Sequence, residues 1–145
     1  ILHRLVGSEM CIRDSSLSET WLSRLEDMIA VKEEVVDTLD QGLDCSEAWR
    51  RGHALASELG HAENLMGMAP DQSRFLGHSV GLQLDESPVV AEGFDRPLPV
   101  GGTMAIEPKV VHTDGSIGSE DTWVKDEYGM RPITADGAIP WVTEW

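Results

Sequence analysis

The chain is poor in cysteine, in aromatic residues and in positive charge, and it has no long apolar run. Only Cys11 and Cys45 occur among 145 residues, in no CxxC or other ligand-spaced cluster. That excludes a disulfide-stapled scaffold and fits a reducing, cytoplasmic setting. Eleven Lys and Arg stand against 26 Asp and Glu, a formal charge of −15. So acidic a chain repels phosphate backbones and anionic lipid surfaces, so neither nucleic acid nor a membrane is an expected partner. No window approaches the ~18 uninterrupted apolar residues that a membrane-spanning helix requires. At 41% hydrophobic residues the chain is also too apolar for a disordered acidic segment. What remains is about one domain with an apolar core.

The first residue is Ile1, not Met, so the sequence reads as a fragment. Leu5 to Ser15, LVGSEMCIRDS, shows no periodicity and looks like translated sequencing adaptor. Residues 1–15 are therefore set aside as a non-native leader, and 16–145 are the expected domain. The order of a secretory signal, a basic start followed by an apolar core and small residues, is not found at the N-terminus.

Ser16 and Glu19 have capping-box spacing. Leu22, Leu25, Met28, Ile29, Val35, Val36 and Leu39 then recur at helical spacing, and Gly42 suits a left-handed stop. Asp44 and Glu47 repeat the start signal, with Ala48, Leu55 and Leu59 as a second stripe ending at Gly60. Between His61 and Arg74 the chain is irregular, and Met66 and Met68 are expected to fill core gaps there. From Gly77 the texture changes to short strands. Val80, Leu82 and Leu84 alternate, Met104 and Ile106 alternate before Val110 and Val111, and Asp114-Gly115 marks a turn before a run ending at Val124. Another strand is expected from Met130 to Thr134 beyond Gly129. The fold class is α+β, two helices followed by antiparallel strands.

Three places combine a metal-ligating side chain with unusual backbone. In Gly77-His78-Ser79-Val80-Gly81 two glycines flank an imidazole, as where a backbone closely approaches a ligand. In Ala105-Ile106-Glu107-Pro108 a carboxylate sits in an apolar run beside a residue without a backbone donor. In Gly118-Ser119-Glu120-Asp121-Thr122 two acids occupy a strand. Taken singly, His78 reads as a hydrogen-bonded core histidine, Glu107 as an edge charge and Glu120 as a solvated acid. Together they differ, because carboxylates within apolar strands are costly to bury without a cation or donors. One imidazole and two carboxylates suit Zn, Mn, Fe or Co. His53, His61 and His112 read as solvated or capping residues, Trp49 and Trp123 as packing, and Trp141 with Trp145 as a subunit contact.

The order of Phe75-Leu76-Gly77-His78-Ser79-Val80-Gly81-Leu82, Glu86-Ser87-Pro88, Met104-Ala105-Ile106-Glu107-Pro108 and Glu120-Asp121-Thr122 resembles the C-terminal part of the pita-bread metallopeptidases. That family includes Xaa-Pro dipeptidase, Xaa-Pro aminopeptidase and methionine aminopeptidase. The resemblance runs from Ser16 to about Thr134. It implies a pair of divalent metal ions, with His78 and Glu107 on one and Glu120 bridging both, and hydrolysis of small peptides by a metal-activated water. It also implies Glu107 as proton shuttle to the leaving amine, with metal affinity falling in mild acid as the ligand histidine protonates. The family completes the site with two aspartates upstream of the first helix, and the suspect Asp14 is no replacement. The chain by itself is therefore expected to be inactive, and the complete protein to be a homodimer. Arg74 and Asp85 stand where the family commonly carries substrate-binding histidines, which puts ordinary Xaa-Pro cleavage in doubt. Arg74 either clamps a substrate carboxylate or pairs with Asp71 or Asp85 on the surface. The departures leave room for a creatine-type amidinohydrolase, a dimethylsulfoniopropionate lyase or a non-catalytic binding module on the same fold.

Overall fold

A computed structural model describes residues 17–134. The leader, Ser16, Trp141 and Trp145 lie outside the described residues.

Helix α1 spans Glu19–Asp40 and buries Leu25, Met28, Val31, Val35 and Leu39, one face at spacings of three and four. Its N-cap is Ser18 and not the expected Ser16, with the Ser18 hydroxyl accepting from the Trp21 amide at 3.5 Å. Its end follows the glycine signal. Gly42 takes φ +76°, the Gly42 amide donates to the Leu39 carbonyl and the Leu43 amide to that of Thr38. These paired bonds use carbonyls that a helix end would otherwise leave free.

Helix α2, Cys45–Glu58, starts after Asp44 as expected, but by a different device. The Asp44 side chain makes no capping bond; the Cys45 and Ser46 amides donate instead to the carbonyls of Arg96 and Phe94, both at 3.0 Å. Glu47 turns to Arg50 and Arg51. Ala48 and Ala56 are buried, Leu55 is partly buried, and Leu59, expected in the stripe, is 38% exposed at the helix end. The helices pack against each other through Gly52. A Cβ there would lie 2.7 Å from Leu76 Cδ1 and 2.8 Å from Val35 Cγ2, closer than packed carbons come.

The strands are β1 Phe75–Ser79, β2 Glu86–Ala91, β3 Thr103–Ile106, β4 Lys109–His112, β5 Gly115–Gly118, β6 Asp121–Lys125 and β7 Met130–Pro132. β2-β1-β3-β6-β7 form an antiparallel sheet, and β4 pairs with β5. One register runs through both sheets, from Thr103↔Val124 to Ile106↔Asp121 and on from Lys109↔Gly118 to His112↔Gly115. Residues 103–125 are thus one long hairpin, turned at Thr113-Asp114 and interrupted where Glu107-Pro108 faces Ser119-Glu120. The interruption follows from Pro108, which has no N–H for the ladder. Only its carbonyl takes part, accepting from the Ser119 amide at 3.2 Å.

Two strand expectations change. The Val80-Leu82-Leu84 alternation is not a strand: β1 stops at Ser79, and Leu82 and Leu84 are exposed. A local turn wins, with the Gly81 amide on the Gln83 carbonyl and the Gln83 amide on Glu86 Oε1. The next segment, Glu86–Ala91, is a strand that the alternation did not signal, and its Pro88 is tolerated because β2 lies at the sheet edge. Glu120 precedes β6, which begins at Asp121. Met66 fills the core as expected, whereas Met68 is exposed.

Cys45 is fully buried, and burial, reinforced by the Asp44 charge, pushes its thiol from 9.0 up to about 11. The unfolded chain therefore loses this proton at lower pH than the folded one. The stabilisation is complete below pH 9 and is lost as pH rises through about 11, a change of roughly 2–3 kcal/mol. Urea denaturation at pH 8 and at pH 11 should show that extra loss in the native sequence and not in Cys45→Ala.

Candidate metal centre

The central strands bring the candidate ligands together. His78 lies on β1 opposite Ala105 of β3, and Glu107 stands two residues beyond Ala105, just past the end of β3, so alternation sets both side chains on one face. His78 Nε2 is 3.3 Å from Glu107 Oε1, and both side chains are largely buried. Gly77 permits this closeness, since a Cβ at that position would lie 2.5 Å from the Ala105 carbonyl oxygen. The Glu107 amide donates to the Leu76 carbonyl at 2.9 Å, which continues β1–β3 pairing up to the carboxylate.

The donor set has a definite polarity. His78 Nδ1 is 3.1 Å from the Ser79 carbonyl, which only accepts, so Nδ1 carries hydrogen. Nε2 then faces two carboxylates, Glu107 and, at 3.0 Å, Asp85 Oδ1. An imidazole nitrogen and a carboxylate oxygen are donor types that divalent ions accept, and His78 with Glu107 supplies one of each. Lys109 Nζ, 3.4 Å from Glu107 Oε2, occupies the other carboxylate oxygen.

Glu120 is placed by the hairpin: the register Ile106↔Asp121, continued one residue, sets it across from Glu107. Among the described residues no group of three or more His, Cys, Asp and Glu is arranged to hold a metal ion. Behind this edge Asp121 points to α1, where Lys32 forms a buried ion pair with it and donates to Ser119 Oγ at 2.7 Å. Asp121 was legible as one of two acids beside the strand, but its partner Lys32 escaped sequence reading, because it sits within a helix whose buried stripe is mostly apolar.

Asp85 is found against His78 and not against Arg74. Arg74 is exposed just before β1, and the surface ion pair expected with Asp71 or Asp85 does not form. His53 stacks on Trp49. His61 is buried and its Nε2 lies 2.7 Å from Asp27 Oδ2, so its expected solvated or capping role is replaced by a side-chain hydrogen bond that ties the chain after α2 to α1. His112 also departs from expectation, since its Nε2 is buried with no hydrogen-bond partner among the described residues.

Comparison with known proteins bears on this geometry. The profile of metallopeptidase family M24 matches residues 20–127. Searching the curated protein sequences gives no match. Among solved structures the chain is similar to a dipeptidase from Pyrococcus horikoshii OT3, with 26% identity and a TM-score of 0.71 over 83% of this chain and 32% of that one. It is also similar to the X-Pro aminopeptidase from Thermotoga maritima MSB8, with 21% identity and a TM-score of 0.71 over 81% and 32%. The N-terminal domain of FACT complex subunit SPT16 from Cicer arietinum shares the fold as well, with 14% identity and a TM-score of 0.68 over 83% and 30%. The chain thus spans about a third of the length of the structures it matches, and its two helices and antiparallel sheet are part of the pita-bread fold.

Proposed function

The chain belongs to metallopeptidase family M24, and from that premise we propose that the complete protein is a metal-dependent peptidase resembling Xaa-Pro dipeptidase and aminopeptidase. One observation carries the reading: two ligand types from distant parts of the chain, His78 on β1 and Glu107 just past the end of β3, meet with Nε2 turned to the carboxylate. His78 and Glu107 would hold one of two divalent ions, Mn, Co, Fe or Zn, with Glu120 reaching both from across the hairpin. Such an ion polarises a carbonyl and lowers the pKa of water. Glu107 takes the proton released by the attacking water and passes it to the leaving amine. Arg74, exposed at the start of β1, and Asp85, beside His78, face the substrate, a small peptide. The remaining two ligands would be aspartates upstream of α1, and without them the chain is inactive by itself. We place the complete protein in the cytoplasm as a homodimer. Among the described residues no helix is long and apolar enough to cross a membrane.

A second reading keeps the metals and changes the substrate to that of a creatine-type amidinohydrolase or a dimethylsulfoniopropionate lyase. Asp85 favours it, because a carboxylate on His78 alters what can approach the site. A third, a non-catalytic binding module, draws on the fold shared with the FACT subunit.

The test is metal content and affinity of the full-length gene product, followed by hydrolysis of Xaa-Pro dipeptides with manganese supplied. Groups that only orient a metal ligand are worth about 10–100-fold in affinity, so His78→Ala should weaken binding by more than about 100-fold. Unchanged stoichiometry would remove His78 from the site. Metal bound without dipeptide cleavage would favour the second reading, and no metal at all the third.

A further inference from the structure

We infer that His112 is an acid-sensitive clasp between the start of α1 and the β4–β5 hairpin: the two dock while its imidazole is neutral, and its protonation parts them. His112 closes β4 opposite Gly115, the first residue of β5. Trp21, in the first turn of α1, meets the imidazole edge-on with ring centroids 5.9 Å apart. The same indole lies over Gly115, where a Cβ would come within 3.2 Å of it, and the Arg24 guanidinium sits 4.4 Å from its ring centroid. The indole is therefore held between the helix and both strands of the hairpin end.

What makes this contact conditional is the buried Nε2 of His112, which has no hydrogen-bond partner among the described residues. A neutral imidazole forgoes at most one acceptor bond there. A protonated ring would carry a full charge, and an N–H with nothing to receive it, into the same place. The charged and titratable groups around it do not compensate. From α1 comes Arg24, of like sign; from beyond α2 comes His61, whose Nε2 is 2.7 Å from Asp27 Oδ2; the hairpin turn supplies Asp114. Burial first, then the Arg24 charge, depress the His112 pKa below its ordinary value of 6.5, with Asp114 opposing and His61 adding to the depression. The unfolded or undocked ring thus binds a proton at higher pH than the docked one. Docking is complete above pH 6.5 and weakens as pH falls through the depressed value.

The measurement is an NMR pH titration of the His112 ring, with amide exchange protection followed in residues 19–25 and 109–118. The ring should titrate below pH 6.5. Protection in those two segments, corrected for intrinsic exchange, should fall with it by up to about tenfold per pH unit, while α2 keeps its protection. In His112→Phe, which retains an edge-on ring without a titrating nitrogen, protection should hold over the same range. A His112 ring that titrates at or above 6.5, or protection falling equally in both proteins, would overturn the inference. Should the variant not fold, the titration of the native ring decides alone.

Discussion

Lys32→Met should cost about 3–5 kcal/mol, because it leaves the Asp121 carboxylate buried beside α1 with its cation gone. Both side chains are about nine-tenths buried and in direct contact. The pair joins the middle of α1 to the first residue of β6, 89 positions apart. Burying both charges has a desolvation cost that their attraction only partly offsets, so the pair as a whole adds little; the penalty arises from removing one partner. The double variant Lys32→Met with Asp121→Leu should therefore recover most of the loss. Urea denaturation of the three proteins measures it, and a single-variant loss under about 1 kcal/mol would show that water or Ser119 already satisfies the carboxylate. Asp121 neighbours Glu120, so the ion pair also fixes the strand edge from which that proposed ligand projects.

Gly77→Val is the second large effect, about 3 kcal/mol or more, from overpacking against backbone that cannot rotate aside. The added Cβ would meet the Ala105 carbonyl oxygen at 2.5 Å and the Ile106 Cα at 3.2 Å. Relief requires β1 to move away from β3, and His78 moves with it. The variant should thus lose stability and part His78 from Glu107 together. Thermal denaturation reads the first and the His78 ring NMR signals the second. A stable variant with unchanged His78 signals would mean that the two strands have room to separate without disturbing the site.

The helices were legible because their signals are local. The spacing from Leu25 to Leu39 and the glycines at 42 and 60 specify one face and two left-handed stops whatever the rest of the chain does. Strands beyond Gly77 were legible only where alternation and burial agree. At Val80-Leu82-Leu84 the alternation is real, yet bonds among Gly81, Gln83 and Glu86 bend the chain out of the sheet. At Glu86–Ala91 a strand forms although Pro88 argues against one, since an edge position makes no demand on its missing N–H.

The site divides in the same way. That His78 and Glu107 are candidate ligands follows from their residue types and from the motif order, both properties of the chain. That they meet is decided by the pairing of β1 with β3 and by the bare backbone of Gly77. The Asp85 contact, the Lys32–Asp121 pair and the lodging of His112 against Trp21 belong to tertiary structure alone. Local sequence determines which dihedral angles and side chains are available. Which distant charges become neighbours, and how much water they keep, depends on packing between elements far apart in the chain.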